Sequence, residues 1–174
     1  MERLKVAVIG VGYLGRFHAQ KYAAMEDVEL VGVVDVDPER AALVAQEVGT
    51  RAYGALSEIP VPVQAVSVAV PTSLHAEVAV PLLEKGIAVL LEKPIATDMP
   101  AAEAILAAAN AGAARLQIGH LERFNPAILK LRERITKPMF IEVHRISPFK
   151  ERGTDVDVIL DLMIHDIDII LSLV

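Results

Sequence analysis

The chain has 174 residues, of which 53% are hydrophobic, and a formal net charge of −6. That length suits one domain and part of a second, and the apolar content supports a packed core rather than disorder. The acidic balance argues against a nucleic-acid partner, the lack of cysteine excludes disulfides and thiolate metal sites, and no run approaches the ~20 apolar residues of a membrane span.

The N-terminus enters Val6-Ala7-Val8-Ile9 directly. That run is too short for a secretion signal, so a cytoplasmic protein is expected. Short β-branched runs then alternate with helical segments, the pattern of a parallel sheet with crossover helices. Strands are expected over residues 5–9, 30–34, 65–70, 87–91 and 116–119. A helix over 13–25 follows the first. Asp37-Pro38 opens a second helix that ends before Gly49, with Asp as cap and Pro in the first turn. The third helix, over 73–85, contains Pro81, which should kink or divide it. Asp98-Met99-Pro100 begins an alanine-rich helix ending near Gly112. Beyond Gly119 the character changes: a helix over 126–135, a longer strand over 139–146, a polar loop over 150–155 and a very apolar helix over 156–174. The fold class is α/β, with a doubly wound parallel sheet and a domain boundary near 119–125, dividing residues 1–120 from 121–174.

Gly10-Val11-Gly12-Tyr13-Leu14-Gly15 fits G-x-G-x-x-G between an apolar strand and a helix, the context of a Rossmann dinucleotide site. The first glycine permits the tight turn, the second lets a pyrophosphate approach the backbone, and the third lets helix and strand pack closely. The helix N-terminus offers N–H groups and a partial positive charge to phosphates. Asp35, at the end of the second strand, stands where an acid binds ribose hydroxyls and repels a 2′-phosphate, which predicts NAD rather than NADP. Neither Val36 nor Asp37 brings a compensating positive charge, and Arg40 lies one turn into the next helix.

Glu92-Lys93-Pro94, following the strand over 87–91, is a second signature. Together with the glycine loop it resembles the Gfo/Idh/MocA oxidoreductases, the relatives of glucose–fructose oxidoreductase and inositol dehydrogenase. Val70-Pro71-Thr72 with His75 resembles the family's loop along the cofactor. Gly119-His120-Leu121-Glu122-Arg123-Phe124-Asn125-Pro126 resembles its crossing into a second domain, and Asp161-x-x-x-His165-x-x-Asp168 its catalytic helix. The crossing is most similar to members that oxidise the 3-hydroxyl of UDP-N-acetylglucosamine. The resemblance implies that residues 121–174 are the incomplete start of an α+β substrate and dimerisation domain, because family members continue into an open sheet. They also often carry a glycine-rich stretch where this chain has Thr154-Asp155-Val156-Asp157.

The implied function is NAD-dependent oxidation of a secondary hydroxyl on a sugar or nucleotide sugar. The resemblance makes Lys93 and His165 the proton-transfer candidates, with Asp161 orienting His165. A lysine does this near neutral pH only when burial or nearby positive charge favours the neutral amine, and the nicotinamide ring carries such a charge. Pro94 is expected to be cis. The cofactor set is Gly10, Gly12, Tyr13, Leu14, Gly15, Asp35, Pro71, Thr72, His75, Glu92 and Lys93; His120, Arg123 and Asn125 are candidates for the substrate, the arginine for a phosphate. Asp161 and His165, four apart, share a helix face, which is also compatible with a plain polar face or a zinc site; no further ligand cluster supports zinc, and no metal is expected. His18 on the first helix is expected to be structural or solvated, and His144 to lie on a sheet face. Alternatives are a non-catalytic dinucleotide-binding module and an enzyme that recycles NAD during sugar elimination. The open strand edge and apolar final helix predict a homo-oligomer, a swapped arrangement or a mobile C-terminal third.

Overall fold

A computed structural model describes residues 2–146 and 156–174. The polar loop expected over 150–155 lies outside the described residues. Two compact units emerge, Met1–Ile118 and Gly119–Val174.

The first unit is a six-stranded, all-parallel sheet in the order β3-β2-β1-β4-β5-β6. The strands are β1 (Leu4–Ile9), β2 (Val28–Val34), β3 (Ala52–Tyr53), β4 (Ala65–Val68), β5 (Ala88–Leu91) and β6 (Leu116–Ile118). The helices between them are α1 (Tyr13–Ala23), α2 (Pro38–Val48), α3 (His75–Glu84) and α4 (Met99–Ala111). This is the Rossmann order, and the chain reverses its direction of travel across the sheet between β1 and β4.

Strand alternation divides the core between the two faces. Val8 and Val33 pack with Ala19 of α1 and Val44 of α2. Val66, Val68, Val89 and Leu91 pack on the other face with Leu83 of α3 and Ile105 of α4. Helix ends follow the local chemistry. Asp37 caps α2 by accepting the amides of Glu39 and Arg40, and Asp98 caps α4 by accepting that of Ala101. Gly49 ends α2 in the left-handed conformation at φ 70°.

Pro81 neither divides nor ends α3, which runs unbroken from His75 to Glu84. Packing on the sheet through Ala79, Leu82 and Leu83 outweighs the missing amide donor.

The second unit contains a 3-10 turn (Leu121–Phe124), α5 (Pro126–Arg132) capped by Asn125, a π-helical turn (Ile159–Met163) and α6 (Ile164–Leu171). The strand expected over 139–146 is not formed: those residues are irregular, so the open edge predicted from it does not arise. A strand is held by its neighbours' hydrogen bonds, and among the described residues no strand of this unit pairs with it. His144 accordingly lies on no sheet and is exposed beside Glu142. No helix among the described residues is long and apolar enough to cross a membrane.

Candidate dinucleotide-binding and catalytic site

The functional side chains of the first unit meet at the C-terminal ends of its strands, around the β1/β4 reversal where ligands of open α/β sheets bind. Each glycine of the loop after β1 has its own steric reason. Gly10 holds φ 79°, and a Cβ there would stand 2.7 Å from the Ala69 carbonyl oxygen. At Gly15 a Cβ would fall 1.8 Å from the Gly10 carbonyl oxygen, so α1 packs against the loop only because that side chain is missing. Above Gly12 a Cβ would meet nothing within 4 Å. Gly12 caps α1 without a side-chain hydrogen bond, whereas α2 and α4 carry aspartate caps. The N-terminus of α1 therefore lacks the anionic group that its dipole favours, and the space above Gly12 lets one approach.

Asp35, buried at the end of β2, ties that loop to the adjoining groove. Its Oδ2 accepts the Val11 amide at 2.8 Å and its Oδ1 accepts the Asp37 amide at 2.9 Å. A carboxylate has about four lone-pair sites, so acceptor capacity remains for ribose hydroxyls. Arg40 reaches further than its place in the sequence suggests: its guanidinium lies 3.4 Å from Asp35 and 3.1 Å from Asp37. Asp35 thus has a positive neighbour after all. Alongside runs a groove of about 510 Å³ lined by Asp35, Val36, Pro38, Ala41, Tyr53 and Gly54. These residues fit a dinucleotide: open backbone for the pyrophosphate, an acid for the ribose, and a partly apolar groove for the base.

Pro71 and Thr72 follow β4, the first exposed and the second buried, in a 3-10 turn closed by the Leu74 amide on the Pro71 carbonyl at 2.9 Å. The Lys93-Pro94 bond is cis, and Lys93 itself is half-buried. Tyr13 and Leu14 are exposed on the first turn of α1, and the Tyr13 ring meets Phe17 edge to face at 5.3 Å.

Two members of the expected cofactor set turn their side chains inward. His75 is 1% exposed, with Nδ1 2.9 Å from the Pro94 carbonyl oxygen and Nε2 3.1 Å from that of Val70. It joins two loops rather than presenting a ring to the groove. Glu92 is buried, and its Oε1 lies 3.0 Å from Nε2 of His18. His18 is structural and not solvated; its Nδ1 meets the Ser67 hydroxyl. Burial raises the Tyr22 phenol pKa, while a hydrogen bond with the same Ser67 works against the rise.

In the second unit Asp161 lies in the π-helical turn and His165 at the second position of α6. That turn breaks the strict α-helical register the four-residue spacing assumes. Asp157 accepts the Leu160 amide at 2.9 Å, as a helix cap does. Arg123 grips Asp168 with three hydrogen bonds of 2.7–2.9 Å. Its charge is therefore already paired, and a substrate phosphate would have to compete for it. His120 Nδ1 stands 3.9 Å from the same carboxylate, and Asn125 is exposed as the α5 cap. Arg145 binds Asp166 in the same forked way. Each guanidinium holds its aspartate below the ordinary value of 3.8, against the opposing effect of burial. Among the described residues no group of three or more His, Asp or Glu is placed to hold a metal.

The strand order, the three-glycine turn and the buried acid after β2 define a dinucleotide-binding Rossmann protein. Residues 4–120 match the GFO_IDH_MocA family, described as an oxidoreductase family with an NAD-binding Rossmann fold, and the chain belongs to that family. It is 45% identical over 174 residues to the UDP-N-acetylglucosamine 3-dehydrogenase of Acidithiobacillus ferrooxidans, covering 99% of this chain and 55% of the relative. The solved structure of that enzyme, GnnA, superposes with a TM-score of 0.91 over 99% of this chain and 57% of its own. The myo-inositol dehydrogenase Hyg17 of Streptomyces leeuwenhoekii is 32% identical, covering 96% of this chain and 54% of the relative. GenD2 from gentamicin A biosynthesis, solved with NAD, is 32% identical with a TM-score of 0.73, covering 78% of this chain and 39% of its own. The chain spans about half the length of the curated relatives it matches.

Proposed function

We propose that the protein takes part in NAD-dependent oxidation of a secondary hydroxyl on a nucleotide sugar, the 3-hydroxyl of UDP-N-acetylglucosamine in particular. The observation that carries this reading is the meeting of Gly12, Asp35 and the Glu92-Lys93-Pro94 turn at one end of the parallel sheet, in a chain 45% identical to an enzyme named for that reaction. NAD, when bound, supplies the acceptor for the hydride that leaves the sugar carbon. The chain's own residues do the rest. The loop around Gly12 and the first turn of α1 receive the pyrophosphate, and Asp35 accepts from the ribose hydroxyls. Lys93 takes the hydroxyl proton as the carbonyl forms; His165, oriented by Asp161, is the other candidate for proton transfer. Ile167 and Leu171 are exposed on α6, at 38% and 65%, which supports self-association of this face in a cytoplasmic homo-oligomer.

The test incubates the enzyme, with a complete second domain, with NAD and a panel of UDP-sugars and free sugars and follows absorbance of the reduced nicotinamide; the 174-residue chain is expected to bind NAD but turn over little or no sugar. Net reduction that prefers UDP-N-acetylglucosamine over free N-acetylglucosamine is expected. Equal rates with the free sugar would overturn the nucleotide-sugar assignment, and product without net reduction would favour sugar elimination with recycled NAD.

A further inference from the structure

The Glu92-Lys93-Pro94 turn is held from both sides by an imidazole, part-buried on one side and fully buried on the other. On one side, Glu92 Oε1 lies 3.0 Å from His18 Nε2, while Oε2 accepts the backbone N–H of Lys93 at 3.3 Å. His18 stands three residues beyond Gly15 on α1, the helix whose N-terminus faces the phosphate position. On the other side, the His75 ring lies between the Pro94 and Val70 carbonyl oxygens, at 2.9 and 3.1 Å, and so sits between the lysine's turn and the Val70-Pro71-Thr72 loop.

We propose that His18 and His75 are positioning residues for Lys93, fixing the backbone on either side of it relative to the dinucleotide loop. The inference rests on the reading of Lys93 as the proton-transfer group. Its physical warrant is the cost of the arrangement. Ser67 is fully buried and Glu92 nearly so, beside buried strand residues that are otherwise Val, Ala and Leu. Buried polar groups cost stability unless they are hydrogen-bonded, so the distinct contribution of the Ser67–His18–Glu92 chain is a single defined geometry. Geometry matters here because the lysine amine sits about 6 Å from its Cα at standard bond lengths. A tilt of ~10–20° in the supporting peptide therefore moves the amine by about 1–2 Å, and displacement on the order of 1 Å can cost ~10²-fold in rate.

The experiment uses the 174-residue chain with its lysines dimethylated by a carbon-13 reagent, which keeps their charge. The Lys93 signal is assigned by its loss in Lys93→Arg. NADH binding is followed by nicotinamide fluorescence, and folding by the amide spectrum. Addition of NADH is expected to shift the Lys93 signal in the unmodified protein. In His18→Ala and His75→Ala that shift should shrink to less than about half, and in His18→Ala the Kd for NADH should stay within about threefold. His18→Gln keeps a donor at the Nε2 position and His75→Asn one at Nδ1, and both should restore most of the shift. Should an alanine variant fail to fold, the Gln and Asn variants carry the comparison, with shifts expected between half and full size.

An unchanged Lys93 signal and shift in folded alanine variants would overturn the proposal. So would a weakening of NADH binding in step with the lost shift in His18→Ala, which would place the defect in the phosphate loop. Unaltered turnover in Lys93→Ala of the enzyme with its complete second domain would instead remove the catalytic reading and leave the positioning result standing.

Discussion

Gly15→Ala is the sharpest steric test of the dinucleotide loop. The new Cβ would lie 1.8 Å from the Gly10 carbonyl oxygen and 3.3 Å from the Ala69 Cβ, and real Cβ contacts essentially never fall below 3.0 Å. The first turn of α1 and the Gly10 carbonyl must therefore separate by at least about 1.2 Å, the difference between 3.0 and 1.8 Å. Neither partner yields easily. Gly10 is held by its amide on the Val34 carbonyl at 2.8 Å, and α1 by Ala19, which is fully buried. Forcing extra atoms into packed structure costs about 1–3 kcal/mol, or ~2–12 °C in Tm for a chain of this size. The helix N-terminus moves by the same distance away from the phosphates, so NADH affinity should fall about tenfold or more, equivalent to ~1.4 kcal/mol. Thermal melts followed by circular dichroism and NADH fluorescence titration measure both effects. An alanine variant with an unchanged Tm and a Kd within about twofold of the original would refute the steric account of the loop.

Further predictions concern the acids and their partners. The unmodified protein should bind NADH more tightly than NADPH. Asp35→Ser with Val36→Arg should weaken or reverse that preference, and Arg40→Ala should sharpen it by removing the guanidinium beside Asp35; paired titrations with the two nucleotides decide. Asp37→Ala removes the α2 cap and should cost about 1 kcal/mol, read from denaturant midpoints; a change near zero would show that the cap carries no stability. In the second unit, Asp166 and Asp168 have folded-state pKa values below 3.8. Depressed values mean that the ion pairs contribute fully above the unfolded aspartate pKa and are lost as pH falls through the folded one. Protection factors of the α6 amides, taken against intrinsic exchange at each pH, should therefore be high near neutrality and fall below about pH 4. Arg123→Ala should flatten that acid response and cost about 1.5–3 kcal/mol, toward the low end because the guanidinium is half-exposed. An acid profile identical in the variant would contradict the pairing.

The sheet and its nucleotide loop were legible because their signals are local. Period-two apolar runs, Asp-Pro openings and the spacing of three glycines each depend on a few neighbouring residues. The two-residue strand β3 was not legible, being too short for any period to show. The strand expected over 139–146 failed for the opposite reason: its β-branched alternation is real, but a strand needs a partner, and pairing is not local. The inward roles of His18 and His75 left a trace that composition hides. Gly15, His18, Ala19 and Tyr22 recur at helical spacing on the sheet-facing side of α1, and His75 falls on the same stripe of α3 as Ala79, Leu82 and Leu83. Strand parity likewise aims Ser67 and Glu92 at the α1 face, since Val66, Val68, Val89 and Leu91 fill the other. The Arg123–Asp168 pair spans 45 residues and the Arg145–Asp166 pair 21; separations of that kind follow from tertiary packing alone.

Lys93 is proposed to take the proton of a sugar hydroxyl. That role is tested most directly by comparing, in an enzyme with its complete second domain, Lys93→Ala with the unmodified protein for NAD reduction on UDP-N-acetylglucosamine and, in parallel, for NADH affinity. Turnover is expected to fall by ~10²–10⁴-fold, the range of a general acid–base group, with the Kd for NADH changed by no more than about twofold. Turnover close to that of the unmodified protein, with NADH still bound, would contradict the account.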